Sequence, residues 1–203
     1  MIKKNSLVLR LFALLFFINN NSNCQNIGLL FNMDLSKDNK VNHSFGGGFN
    51  FFWPISKEKL EIHLTPTFAF NRERILENDR SLTNDGIVTN YSRYGSSATT
   101  LYVMPISDYI KIKAGAIISY NYISFSITGF TSNFIKIQTL SSVGAGLATN
   151  FNFKLRKEAK CSFDIILNST YLFEVNSSGP LPDYASLRNT VLYSILIGTS
   201  IPL

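Results

Sequence analysis

Cysteine is nearly absent from this chain. Two occur among 203 residues, Cys24 and Cys161. They exclude a disulfide framework, and no ligand spacing around them describes a metal site. Histidine is as scarce, with only His43 and His63. Charged residues make up 16% of the sequence, and no Lys/Arg cluster interleaves with aromatics, so the chain lacks the footprint of a nucleic-acid binder. Long apolar runs are missing except near the start. Beyond Gln25 no stretch keeps a 3.6-residue apolar period, which excludes a helical bundle. No Pro-rich or charged linker divides the remainder, which therefore reads as one domain.

The one apolar run has the form of an export signal. Lys3, Lys4 and Arg10 supply positive charge, Leu11 to Ile18 is apolar throughout, and Asn19 to Asn23 closes the run. It is shorter than the roughly 20 residues a membrane-spanning helix needs. Residues 1–24 are therefore expected to be a removed signal peptide, with cleavage near Cys24–Gln25. Acylation of Cys24 is the competing reading, and Asn21-Ser22-Asn23 lacks the Leu and small residues of such a site. The formal net charge of +6 includes the three signal cations, so residues 25–203 carry only about +3.

What is abundant after the signal is alternation. From Val191 to Leu203, Val191, Tyr193, Ile195, Ile197, Thr199, Ile201 and Leu203 form one set, and Leu192, Ser194, Leu196, Gly198, Ser200 and Pro202 form the other, mostly small or polar with Leu192 and Leu196 as exceptions. A period of two describes a strand with one apolar face. Seven further segments share it. They are expected at about 26–36, 44–56, 59–72, 94–107, 110–123, 137–155 and 160–175. On their apolar faces lie Phe49, Phe51, Trp53, Leu64, Ile112, Ile118, Val143, Leu147, Ile165, Leu167, Ile195 and Ile197. The fourth segment is the least clearly patterned. Its apolar face is expected to carry Leu101 and Val103, with Tyr102 opposite. Cys161 falls in the seventh segment and is expected on its apolar side.

The connections alternate in length. Ser56-Lys57-Glu58, Ser107-Asp108-Tyr109 and Arg156-Lys157-Glu158-Ala159 are tight, while Glu73 to Arg93, Ser124 to Lys136 and Asn176 to Leu187 are long and rich in Ser, Asn and Gly. Pro follows the same pattern, closing segments in Trp53-Pro54-Ile55, Met104-Pro105-Ile106 and Ile201-Pro202-Leu203, where a ladder N–H is no longer needed. Short turns at one end, long loops at the other and an exported chain together predict a closed eight-stranded antiparallel up-and-down transmembrane β-barrel. Its outward residues would face outer-membrane lipid.

The opposite faces then line a lumen just wide enough for side chains. They carry acids and bases of both signs, which are costly to bury unpaired. An interior polar network of Glu61, His63, Lys111, Lys113, Lys154 and Asp164 is expected, with Glu61 or Asp164 approaching a lysine. Leu30, Phe52, Tyr102, Ile117, Ile166 and Leu172 should fill the remaining space, with Gly46, Gly48, Gly115, Gly144 and Gly146 making room. Gly46-Gly47-Gly48 and Gly144-Ala145-Gly146 are followed by no helix, so neither reads as a phosphate loop.

On strand number, loop asymmetry and the apolar last strand, residues 25–203 resemble small outer-membrane barrels of the OmpA and OmpX type, and more closely the outer-membrane β-barrel proteins of Bacteroidetes. Many such barrels end in Phe where the assembly machinery reads the last strand; this chain ends in Leu203. The resemblance implies insertion by that machinery through the C-terminal strand, residence in the outer membrane and no cofactor. The preferred role is structural or surface-interacting, with the long loops contacting an extracellular ligand or protein. A narrow pore is the alternative. A lipid-modifying enzyme is the second alternative, for which His43, Ser44 and Asp34 near the outer rim are the available residues. His43 and His63 lie at opposite ends of the barrel and cannot share one site.

Overall fold

The computed structural model describes residues 26–36, 44–55, 59–75, 87–129, 135–178 and 190–202. They form eight strands: β1 (Asn26–Ser36), β2 (Ser44–Pro54), β3 (Leu60–Ile75), β4 (Ile87–Pro105), β5 (Ile110–Gly129), β6 (Ile135–Phe153), β7 (Ser162–Ser178) and β8 (Val191–Pro202). Each pairs antiparallel with its sequence neighbour, and β8 pairs with β1 to close the barrel. Closure leaves no open edge, so the backbone of every strand has a ladder on both sides.

The alternation read from the sequence sorts the side chains. Along β5, Ile118 and Tyr120 are exposed while Lys113, Ile117 and Asn121 are buried. Along β6, Leu147 is 71% exposed and its neighbour Ala148 is buried. Phe49, Phe51, Trp53, Leu64, Ile112, Ile118, Val143, Leu147, Ile165, Leu167, Ile195 and Ile197 all fall on the outward parity and are exposed or half-buried. Aromatic rings gather toward the end of the barrel away from the short turns. There Phe68 pairs across the ladder with Tyr94, and Tyr94 with Tyr122. Phe68 also packs on Phe70 at 5.7 Å, and Tyr171 on Phe173 at 4.8 Å. Trp53 and Phe153 sit at the opposite ends of their strands.

Three expectations require correction. The first is the facing of β4. Leu101 and Val103 point into the lumen, at 1% and 4% exposure, and Tyr102 points out, at 52%. Near this end of β4 both faces are apolar, so hydropathy does not choose between them. Register does: Leu101 lies opposite Glu61 on β3 and Gly115 on β5, both inward, and directly opposed residues share a face.

The second correction concerns strand length. β4, β5 and β6 run 19, 20 and 19 residues, about twice the roughly 9–11 that cross a bilayer. Part of each segment expected as a long loop is paired strand instead. Arg72 faces Asn90, and Asn90 faces Ser126. The intervening 130–134 is no longer than the 55–59 connection at the other end. Beyond the apolar belt the outward positions turn polar, with Asn90 and Ser92 on β4 and Ser124 and Ser126 on β5, so the apolar outward stripe ends while backbone pairing continues. Residues 37–43, 76–86 and 179–189, with His43, Asp79, Asp85 and Asp183 among them, lie outside the described residues. The third correction is Cys161, which immediately precedes β7 at the short-turn rim as an exposed free thiol rather than lying within the strand.

The inward glycines make room in two ways. At Gly144 an added Cβ would meet side chains, Thr170 and Ser119, within 2.5 Å. At Gly146 it would meet the Ser169 carbonyl oxygen at 1.9 Å, and at Gly46 the Phe68 carbonyl oxygen at 1.8 Å. These are positions where neighbouring backbone comes too close for any side chain. Gly146→Ala should therefore cost the folded barrel about 1–3 kcal/mol by overpacking. Gly47→Ala, whose outward Cβ meets nothing nearer than 3.2 Å, should cost clearly less. Urea titration of both variants in lipid vesicles checks the difference.

Candidate functional site

The lumen is the only place where this chain concentrates buried polar chemistry among its described residues, and it does so in two clusters. The cluster toward the short turns is centred on Glu61 of β3. Its Oε2 accepts from Lys113 Nζ at 2.7 Å, from two strands away on β5, and lies 2.8 Å from His63 Nε2. His63 Nδ1 is 3.1 Å from Asn50 Nδ2, and Thr65 Oγ1 donates to Asn50 Oδ1 at 3.0 Å. With the His63 proton on Nε2 every donor in this chain meets an acceptor. Phe52 stacks on the His63 ring at 4.9 Å and takes Lys113 Nζ over its face at 4.9 Å.

Asp164 of β7 belongs to a separate group on the same level. It accepts from Asn152 Nδ2 at 2.9 Å and Ser200 Oγ at 2.6 Å, and Ser162 Oγ lies 2.8 Å from Ser200 Oγ. The structure thus brings together Glu61, His63 and Lys113, and surrounds Asp164 with neutral donors. Lys111 and Lys154 are half-buried and face the wide mouth at this end.

The second cluster is not visible in the sequence as a unit. Asp34 of β1 is held by Arg93 of β4, whose Nη2 and Nε lie 2.6 and 2.8 Å from Oδ2. Ser194 Oγ of β8 donates to Oδ1 at 2.6 Å, and Arg93 Nη1 donates to Asn121 Oδ1 of β5 at 2.8 Å. β1 and β4 are not neighbours, so the pair crosses the lumen. Asp34 and Arg93 are 3% and 4% exposed. Sequence patterning puts Arg93 at the end of a loop. The signal that identifies it is the inward parity Arg93, Gly95, Ser97, Thr99, Leu101, once β4 is extended toward Ile87. Ser44 Oγ reaches Asp34 only at 3.5 Å, and His43 lies outside the described residues. The carboxylate is engaged by Arg93, and no nucleophile–base pair is formed by these atoms.

Between the clusters apolar groups share the lumen with buried polar side chains, Thr99 opposite Ile117 and Asn150 opposite Ile166. Leu30, Ile166 and Leu196 form one buried contact group and Leu101, Ile117 and Ala148 another. Above them lies a cavity of about 30 Å³, lined in part by Asn32, Thr67, Arg93 and Asn168. That is room for about one water molecule and not for a hydrated ion. Among the described residues no group of three or more His, Cys, Asp or Glu could hold a metal.

No known protein family matches this sequence, and no curated protein matches it. Its fold does have counterparts among solved structures. Neisserial surface protein A superposes with a TM-score of 0.58 at 13% identity, over 89% of this chain and 96% of its own. A major outer-membrane protein from Thermus thermophilus gives 0.60 at 16% identity, over 88% and 99%. The outer-membrane protein OprG from Pseudomonas aeruginosa gives 0.54 at 12% identity, over 90% and 96%. At these identities the likeness is one of fold: a closed, small, eight-stranded barrel of the outer-membrane kind.

Proposed function

We propose that this chain is an exported outer-membrane barrel with a structural or surface-interaction role, its lumen shut and its long hairpins presented outside the cell. Residues 1–24 direct export, the assembly machinery receives the C-terminal strand, and outer-membrane lipid surrounds the apolar belt. The observation that carries this reading is the lumen. Two cross-barrel ion pairs, Glu61–Lys113 and Asp34–Arg93, bracket a layer of Leu30, Ile166, Leu196, Leu101 and Ile117. A hydrated ion entering that layer would lose most of its water, with only a few neutral side chains such as Thr99 and Asn150 beside it. The extension of β4 to β6 past the apolar belt supports a contact role for the far rim, and the grouping with OmpA- and OmpX-type and Bacteroidetes barrels rests on the same features. The reading also accords with the surface location that the neisserial protein's name states for that protein.

Planar-bilayer recording tests it. Purified wild-type protein should insert without steady, ion-selective conductance. Such conductance would instead establish a narrow pore, the second reading, which the polar lining and the wide short-turn mouth favour.

A further inference from the structure

The barrel is not filled to both ends. At the short-turn rim the lumen widens into a cup of about 360 Å³, within the size range of small-molecule sites. Five lysines line it: Lys111 and Lys113 from β5, and Lys154, Lys157 and Lys160 from the end of β6 and the turn after it. Among the described residues two acids join them, Glu61 and Glu158. Glu61 is already engaged by Lys113 and His63 in the floor. Lys157 is held by Asp108 at 2.7 Å, but both groups are well exposed, and such a pair restrains its lysine weakly.

A cleft of one sign with low-dielectric walls focuses its field on the space it encloses. Here that field is positive, and the cup is blind because Phe52, Lys113 and Glu61 close its floor. The cations are all lysines. They act as compact point charges, which bind phosphate without the fixed planar geometry of an arginine fork. Lys111 and Lys113 sit at inward positions, while Trp53, Tyr102 and Phe153 occupy the outward face at this end. The cup is therefore screened from the surrounding bilayer and opens along the barrel axis.

We infer that the short-turn mouth binds a small soluble phosphate compound carrying two or more negative charges. The site stands apart from the closed-lumen reading: a conducting barrel could retain it, and a sealed one could lack it.

Pyrophosphate is the probe. Calorimetric titration into the full-length protein, folded in uncharged detergent at low ionic strength, should give saturable binding at one site. The variant Lys111→Gln/Lys154→Gln/Lys160→Gln should weaken binding by about tenfold or more, and added salt should weaken it in the wild type. Lys59→Gln, an exposed lysine outside the lining, should bind as the wild type does. If the triple variant does not fold, Lys154→Gln and Lys160→Gln singly should each still lower affinity measurably. A second arm places the protein in nanodiscs of phosphatidylcholine or phosphatidylglycerol. Equal pyrophosphate affinity in both supports a soluble ligand. The inference is overturned by an absence of saturable binding, by variants that bind as tightly as wild type, or by a phosphatidylglycerol headgroup that abolishes pyrophosphate binding through the same lysines.

Discussion

Arg93→Ala should destabilise the folded barrel by about 3–5 kcal/mol, the usual consequence of removing one partner of a buried ion pair. Asp34, buried in the wild type, would keep only Ser194, Asn32 and Ser44 as its donors. Three neutral hydrogen bonds do not replace a guanidinium that supplies both charge and two short contacts. Asn121 would also lose its donor at Oδ1. The effect is measured by urea unfolding in vesicles, followed by tryptophan fluorescence of Trp53. Asp34→Asn combined with Arg93→Ala should cost less than Arg93→Ala alone, because the orphaned charge is then gone. A double variant that is additive, or an Arg93→Ala barrel within about 0.5 kcal/mol of wild type, would mean that the pair is solvated and that the far half of the lumen is wet. That outcome would also weaken the closed-lumen proposal.

Leu147→Arg should cost about 2–4 kcal/mol when the barrel folds into a bilayer. Leu147 stands on the outward face of β6 between Ala116 and Ser169 of the neighbouring strands. It is 71% exposed. In a water-soluble barrel an arginine at so open a position would be nearly neutral. In a bilayer it must be dragged from water into hydrocarbon or snorkel toward an interface. The same unfolding titration reads the difference, and Lys160→Arg at the exposed rim serves as a control expected to change nothing. A neutral Leu147→Arg would contradict the membrane assignment itself, since the apolar outward belt would then need another partner.

How much of this was legible beforehand follows from where each feature is encoded. Seven of the eight strands have one face apolar enough that a period of two settles which side chains point out. Ile118, Leu147 and Ile197 could be placed outside, and Glu61, His63, Lys113 and Asp164 inside, from alternation alone. The closed eight-stranded topology was equally legible, because an exported chain of alternating strands with short turns on one side has few other ways to satisfy its backbone in a bilayer. β4 marks the limit. Where Leu101, Tyr102 and Val103 follow one another, both parities bury apolar surface. The choice then falls to the ladder with β3 and β5, a contact between segments distant in the chain.

The partner of Asp34 was hidden for the same reason. Arg93 stands 59 positions away on a strand that does not touch β1, and only barrel closure aims it across the lumen. The paired extensions of β4 to β6 were missed because, past the apolar belt, the outward positions such as Ser92, Ser124 and Ser126 turn polar while backbone hydrogen bonding still holds the strands together. The sequence by itself determined the faces of seven strands, the strand number and the closed sheet, all of which rest on local periodicity and on the backbone's need for hydrogen bonds. Tertiary structure alone decided the facing of β4, the Asp34–Arg93 lock and the lysine-lined cup. Each of these depends on which distant residues the closed ladder sets at the same height.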